Sequence, residues 1–187
     1  LNERSQEHPD DARTHTYIQQ GLQVIYRRGK GLLEFVENYR KLTRISAPMK
    51  TEIPLEQFLS DLQRLYPELE VQYKCPSSQL TWYADRTQME QVFINLLKNA
   101  MQAFEKSSSP AEEKHIHIRA YCDEAEAVLI EISNNGPAIP PNIAEHIFIP
   151  FFTTKENGSG IGLSISRQIM RLSGGNLSLR PGKETTF

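Results

Sequence analysis

The strongest constraint on how this chain can fold is a stripe near its N-terminus. Ile18, Leu22, Ile25, Gly29, Leu32, Val36 and Tyr39 are separated alternately by four and three residues, the seam of a helix that packs against other helices. Leu33 and Phe35 widen the stripe, while "YRRGKG" and "ENYRKLTR" keep the other faces charged. One helix running to about residue 46 cannot bury such a stripe alone, so the segment is expected to belong to a helical hairpin or a dimeric bundle. The loop "EHPDDART" precedes it, with Asp10 or Asp11 as expected N-cap, and "LNERS" reads as the stub of an earlier helix.

Two prolines in "SAPMKTEIP" break the helical pattern and set the expected boundary between residues 1–47 and 48–187. After the boundary, helix and strand patterns mix. "LEQFLSDLQRLYP" is an amphipathic helix stopped by Pro67, and "LEVQYKC" and "LTWYAD" are strands joined through a turn at Pro76–Ser78. "RTQMEQVFINLLKNAMQAFEKS" is a long helix with Met89, Val92, Phe93, Leu96, Leu97, Ala100 and Phe104 inward. The polar loop "SSSPAEEK" leads to a strand pair, "HIHIRAYCD" and "AVLIEIS". A short helix in "PNIAEHIF", a helix in "SISRQIMRLS", a Gly C-cap and closing strands in "GGNLSLRPGKETTF" complete the chain. Strands that cluster and helices that arrive singly predict an α+β sandwich, one mixed sheet with helices on one face.

Several function classes are disfavoured at once. A net charge of −2 offers no polycation for nucleic acid or anionic lipid. No apolar run approaches the ~20 residues of a membrane span, and the N-terminal residues do not have the pattern of a signal peptide. Cys75 and Cys122 stand in separate strand-like segments with no CxxC spacing and read as reduced thiols. The "HIH" at 115–117 alternates along a strand, and a surface strand explains it more simply than a metal site.

Three stretches point to chemistry. "GSGIGLSIS", residues 158–166, opens a helix with alternating glycines, which leaves backbone N–H groups free at the positive end of the helix dipole, where phosphate binds. The stretch neither follows a strand in a βαβ unit nor ends in the Lys-Ser/Thr of a P-loop. Asn95 and Asn99 lie four apart, on one face of their helix; either amide can satisfy a neighbouring backbone, or the pair can offer oxygens to a hydrated Mg²⁺ that bridges phosphates. "SNNGPAIP", residues 133–140, follows a strand; Gly136 lets the backbone turn and Pro140 or Pro141 starts the next helix, as an ordinary turn would also require.

Taken in order, "QVFINLLKNAMQA", "SNNGPAIP", "IFIPFFTTK" and "GSGIGL" resemble the asparagine, first glycine, phenylalanine and second glycine boxes of bacterial sensor histidine kinases. The likeness runs from about residue 50 to the C-terminus. It implies the Bergerat-type ATP-binding α/β sandwich, shared with gyrase, chaperone ATPases and mismatch-repair ATPases. The front segment "IYRRGKGLLEFVENYRKLTRISAP" resembles the second helix of the dimerisation and histidine-phosphotransfer hairpin, in the style of nitrogen-regulation-type kinases. Carried over residue by residue, the resemblance makes Asn99 the Mg²⁺ ligand and Asn95 a polar contact near the phosphates. Asn134, Gly136, Ala138, Ile139, Leu163 and Thr185 lie around the adenine, and Ile161 is a further nucleotide-binding residue. Gly158, Gly160 and Gly162 hold the phosphates together with Thr154, and Lys155 reaches the terminal one. ATP and Mg²⁺ are the implied cofactors. A response-regulator receiver domain and a homodimer formed through the hairpin are the implied partners, with neither nucleic acid nor a membrane contacted by this part. The implied location is cytoplasmic, in kinases often anchored in the bacterial inner membrane by upstream regions.

This chain departs from the pattern in three ways. The family usually has Asp at the position of Asn134, where it accepts from adenine's amine, and Gly at the position of Ala138. No histidine stands in an acceptor setting: His8 and His15 flank the presumed hairpin loop, and His115, His117 and His146 fall in the ATP domain. The acceptor is therefore expected on a helix preceding Leu1, and no catalytic residue is assigned here. Gyrase-type hydrolysis needs a Glu four residues before the metal-binding Asn, where this chain has Asn95, so phosphotransfer is expected over hydrolysis. The alternative expectation is a degenerate nucleotide-binding or dimerisation module without kinase activity.

Overall fold

The computed structural model describes residues 12–67, 69–73, 80–105, 114–122, 127–155, 158–180 and 182–187. The proposed N-cap at Asp10 or Asp11, the turn at Pro76–Ser78 and the "SSSPAEE" stretch lie outside these residues, as do His8 and Cys75. The chain divides into two compact units, Leu1–Arg44 and Ile45–Phe187.

The first unit holds one helix, α1 (Ala12–Thr43). Arg40 and Lys41 in its last turn oppose the negative end of the helix dipole, and Arg40 also pairs with Glu37 at 2.8 Å. Leu22, Ile25, Leu32 and Val36 of the stripe are exposed.

The second unit begins with β1 (Thr51–Pro54), α2 (Leu55–Leu65), β2 (Leu69–Tyr73), β3 (Thr81–Ala84) and α3 (Arg86–Glu105). It continues with β4 (Ile116–Cys122), β5 (Val128–Asn134), α4 (Pro141–Ala144), α5 (Gly162–Leu172) and β6 (Thr185–Thr186). The main sheet has the order β2-β4-β5-β6, with β2 parallel to β4 and the other pairs antiparallel, so it is mixed as expected. The expectation of a single sheet is corrected. β3 does not join the main sheet; it pairs antiparallel with β1, setting Ile53 opposite Trp82 in a two-stranded ribbon. The ribbon strand β1 escapes the sequence reading because it is four residues long, ends in Pro54 and buries only Ile53.

Packing explains where the ribbon sits. Phe58 of α2, Trp82 of β3 and Phe93 of α3 meet edge to face, with ring centroids 5.0 to 6.2 Å apart. On the main sheet, register places Ile116, Ile118 and Ala120 of β4 opposite Asn134, Ile132 and Ile130 of β5. That face is buried apart from half-buried Ile130, and α3 packs on β5 and against α5. The opposite face is polar: Glu131 accepts from Arg119, Tyr121 and Arg180. Burial pushes the Glu131 carboxyl up, but these hydrogen bonds and positive charges bring it below its ordinary value.

The two helices that flank the candidate site are anchored at their ends. Asp85 caps α3: its carboxylate accepts from the backbone N–H of Gln88 at 3.1 Å and of Met49 at 2.8 Å. Those backbone bonds hold the Asp85 carboxyl below the usual aspartate range. At its C-terminal end α5 stops on Gly174 at φ +89°, and the Lys50 ammonium donates to the Ser173 carbonyl at 2.8 Å.

Candidate nucleotide site

Helix α3 and the loop that leads into α5 meet beside the N-terminus of α5. Asn95 and Asn99 stand on the α3 face that meets α5 and the loop before it. Asn95 donates through Nδ2 to the Gly162 carbonyl at 3.3 Å and to Ser166 Oγ at 3.1 Å. It therefore fixes the first turn of α5 against α3. No side chain caps that turn: the cap position is Ile161, which is buried. An uncapped helix start of this kind leaves N–H groups for an anion.

The loop before α5 is shaped by its glycines. Gly160 has φ +67°, and a Cβ there would stand 2.5 Å from the Phe151 carbonyl carbon. Phe151 itself has φ +67° and donates its N–H to the Gly160 carbonyl at 2.9 Å, so the two ends of the loop are pinched together. A Cβ on Gly158 would meet Thr153 Oγ1 at 2.4 Å. Thr154 is exposed between them. Gly162 differs: a Cβ there would make ordinary contact with Asn95 at 3.7 Å, so the protein alone does not require this glycine.

Lys155 extends from this loop to α3. Its ammonium donates to Asn99 Oδ1 at 2.9 Å and to Gln102 Oε1. The structure thus places a cation on the oxygen expected to hold Mg²⁺. Gln102 is absent from the sequence reading, although its position three residues after Asn99 puts it on the same helical face.

Of the residues expected around an adenine, Asn134 and Thr185 meet at the end of β5. Register sets Asn134 opposite Thr185 of β6; they are 4% and 7% exposed. Asn134 Nδ2 and Thr185 Oγ1 are both buried without a hydrogen-bond partner, which costs stability unless a ligand supplies one. Gly136 is required beside them, since a Cβ would come within 2.8 Å of Asn134 Nδ2 and 3.0 Å of Ala103 Cβ. Its neighbour Asn135 has a structural part: it accepts the His115 N–H at 3.0 Å and ties the loop to the sheet. Ala138, Ile139 and Thr185 line a cavity of about 650 Å³, together with Phe148 and Arg167, whose guanidinium stacks 4.5 Å over the Phe148 ring. Leu163 is half-buried in the first turn of α5. The cavity lining includes none of Asn95, Asn99 and Lys155, the residues expected near the phosphates and metal. The donors and acceptors fit a nucleotide and a divalent cation: two orphaned polar groups at the base end, a glycine loop and open helix start at the phosphate end, and a side-chain oxygen that already attracts a cation.

Residues 84–187, more than half of the chain, match the model of the histidine kinase-, DNA gyrase B- and HSP90-like ATPase family, and the chain belongs to that family. Among its members the chain is similar to bacterial sensor histidine kinases. It is 38% identical over 114 residues to the C4-dicarboxylate transport sensor protein DctB of Rhizobium meliloti, covering 60% of this chain and 17% of that protein. It is 34% identical over 153 residues to the sensor kinase CckA of Brucella abortus, covering 72% of this chain and 16% of that one. The chain therefore spans about a sixth of the length of these relatives. The solved catalytic domain of histidine kinase ThkA superposes with a TM-score of 0.60 at 32% identity, over 74% of this chain and 91% of that domain. ThkA in complex with the response regulator protein TrrA gives a TM-score of 0.64 at 26% identity, over 99% of this chain and 53% of that one.

Proposed function

We propose that this chain is the ATP-binding catalytic region of a sensor histidine kinase, residues 48–187, joined to the second helix of its phosphotransfer hairpin, residues 1–47. It passes the γ-phosphate of ATP to a histidine supplied by another helix, for relay to an aspartate of a response-regulator receiver domain. The observation that carries this reading is the convergence of Asn99, Lys155 and the glycine loop at the uncapped start of α5, together with the buried orphans Asn134 and Thr185 at the end of β5.

Each residue has a part in it. Thr185 and Asn134 read the base, and Ile139 and Leu163 pack its faces. Gly158, Gly160 and Gly162 let backbone N–H groups approach the phosphates, with Thr154 alongside, and Lys155 neutralises the terminal one. Asn99 holds Mg²⁺, which screens the phosphate charge once bound. Asn95 positions the start of α5 and, being an amide engaged with Gly162 and Ser166, supplies no base for water. That supports transfer over hydrolysis. The exposed stripe of α1 supports a homodimer through the hairpin. No helix among the described residues is long and apolar enough to cross a membrane, in keeping with a catalytic region on the cytoplasmic side.

Labelled ATP tests the reading. The chain alone is expected to acquire no acid-labile label and to release no phosphate at a steady rate. Mixed with a histidine-bearing phosphotransfer hairpin, it is expected to label that hairpin. Steady phosphate release by the chain alone would point to a hydrolase instead.

A further inference from the structure

We infer that Gln102 and Asn99 form a berth for the Lys155 ammonium, and that loading the site with a divalent cation requires Lys155 to leave it. The inference rests on the assignment of Asn99 as metal ligand made above. Asn99 Oδ1 accepts from Lys155 Nζ at 2.9 Å, and Gln102 Oε1 accepts from the same nitrogen. Both acceptors project from one face of α3, three residues apart. The lysine comes from the loop pinched between Phe151 and Gly160, so its reach back to α3 also holds that loop over the start of α5.

The amide oxygen has two lone pairs, but ammonium and dication do not share them comfortably. An ion at the ~2.1 Å distance of a Mg–O bond would stand roughly 4 Å from the ammonium, where like charges repel even in water. Occupation is therefore an exchange. Without nucleotide the ammonium rests on the berth; when phosphates arrive it shifts to them, and Asn99 is released to the metal. Gln102 touches neither phosphate nor metal in this scheme. It is a positioning residue that sets how much Mg²⁺ is needed to complete the exchange.

The test is the Mg²⁺ concentration giving half of the maximal gain in affinity for a fluorescent ATP analogue, measured on the 187-residue chain. Gln102→Leu removes one of the two amide oxygens of the berth and is expected to lower that midpoint about three- to tenfold, the worth of one hydrogen bond to a charged group on a partly exposed face. Gln102→Glu strengthens the berth and is expected to raise it. Lys155→Met also lowers the midpoint but weakens binding at saturating Mg²⁺, because the ammonium is lost from the phosphates too. If both Gln102 variants keep the parental midpoint while Asn99→Ala abolishes the Mg²⁺ dependence, the berth is wrong and the metal assignment stands. If Asn99→Ala leaves the Mg²⁺ dependence intact, the metal assignment itself is wrong and the berth falls with it.

Discussion

Asn134 puts an amide where the purine's 6-substituent would be read. A carboxylate there would only accept, whereas an amide can turn its oxygen toward adenine's amine or its NH₂ toward guanine's carbonyl. The present chain should therefore prefer ATP over GTP by a smaller factor than Asn134→Asp does. The expected gap is about 1–2 kcal/mol, one charge-assisted hydrogen bond against one mismatched pair. Competition of ATP and GTP for the site at one Mg²⁺ concentration measures it, and equal ratios in the two proteins would remove Asn134 from base reading. Glycines 160 and 162 separate fold from ligand in the same way. Gly160→Ala meets both a positive φ and a contact of 2.5 Å, and should lower thermal stability as well as ATP affinity. Gly162→Ala meets only ordinary contact, gains helix propensity and should hold or raise the melting temperature while weakening ATP binding, because the phosphate needs the space. Loss of stability in both, or of affinity in neither, would contradict this division.

Helix α3 carries most of the site, and its start depends on Asp85. Removing a capping carboxylate of this kind costs about 1–2 kcal/mol, so Asp85→Ala should lower the urea midpoint accordingly. The sign with pH follows from the two backbone bonds. They depress the folded-state value below the ordinary 3.8, so the cap contributes fully above 3.8 and fades as pH falls through the lower folded value. Parent and Asp85→Ala should thus converge in stability toward the acid end; an unchanged gap below that range would show that the carboxylate is not the source. At this scale the sequence was largely readable. The inward series Met89, Val92, Phe93, Leu96, Leu97 and Ala100 is buried as its periodicity requires, and the alternation of β4 and β5 gives the sheet face directly. Phe104, in the last turn of α3, is only half-buried. What escaped was non-local or short. The ribbon strand β1 has no period to recognise, and nothing in "TTK" announces that Lys155 returns to an amide 56 residues earlier in the chain. Asn134 and Asn135 are adjacent and chemically alike, and only the register shows that one faces Thr185 while the other ties to His115.

In the whole molecule, a helix with an exposed apolar stripe precedes a unit with its own buried core and a candidate nucleotide site. In the proposed function each half serves one end of phosphotransfer: the exposed stripe offers a surface to other helices, and the second unit offers a site for ATP. Neither contains an acceptor histidine in a recognisable setting, which is why the chain is assigned the donor half of the reaction. In the proposed function, the amide of Asn99 brings a divalent cation to the phosphates of bound ATP. This role is tested most directly by titrating the chain and its Asn99→Ala variant with a fluorescent ATP analogue, with and without Mg²⁺. Asn99 is half-exposed and outside the core, so the variant should melt like the parent. The account predicts Mg²⁺-dependent binding in the parent and its loss in the variant; an Asn99→Ala protein that binds Mg-ATP as tightly as the parent would contradict it.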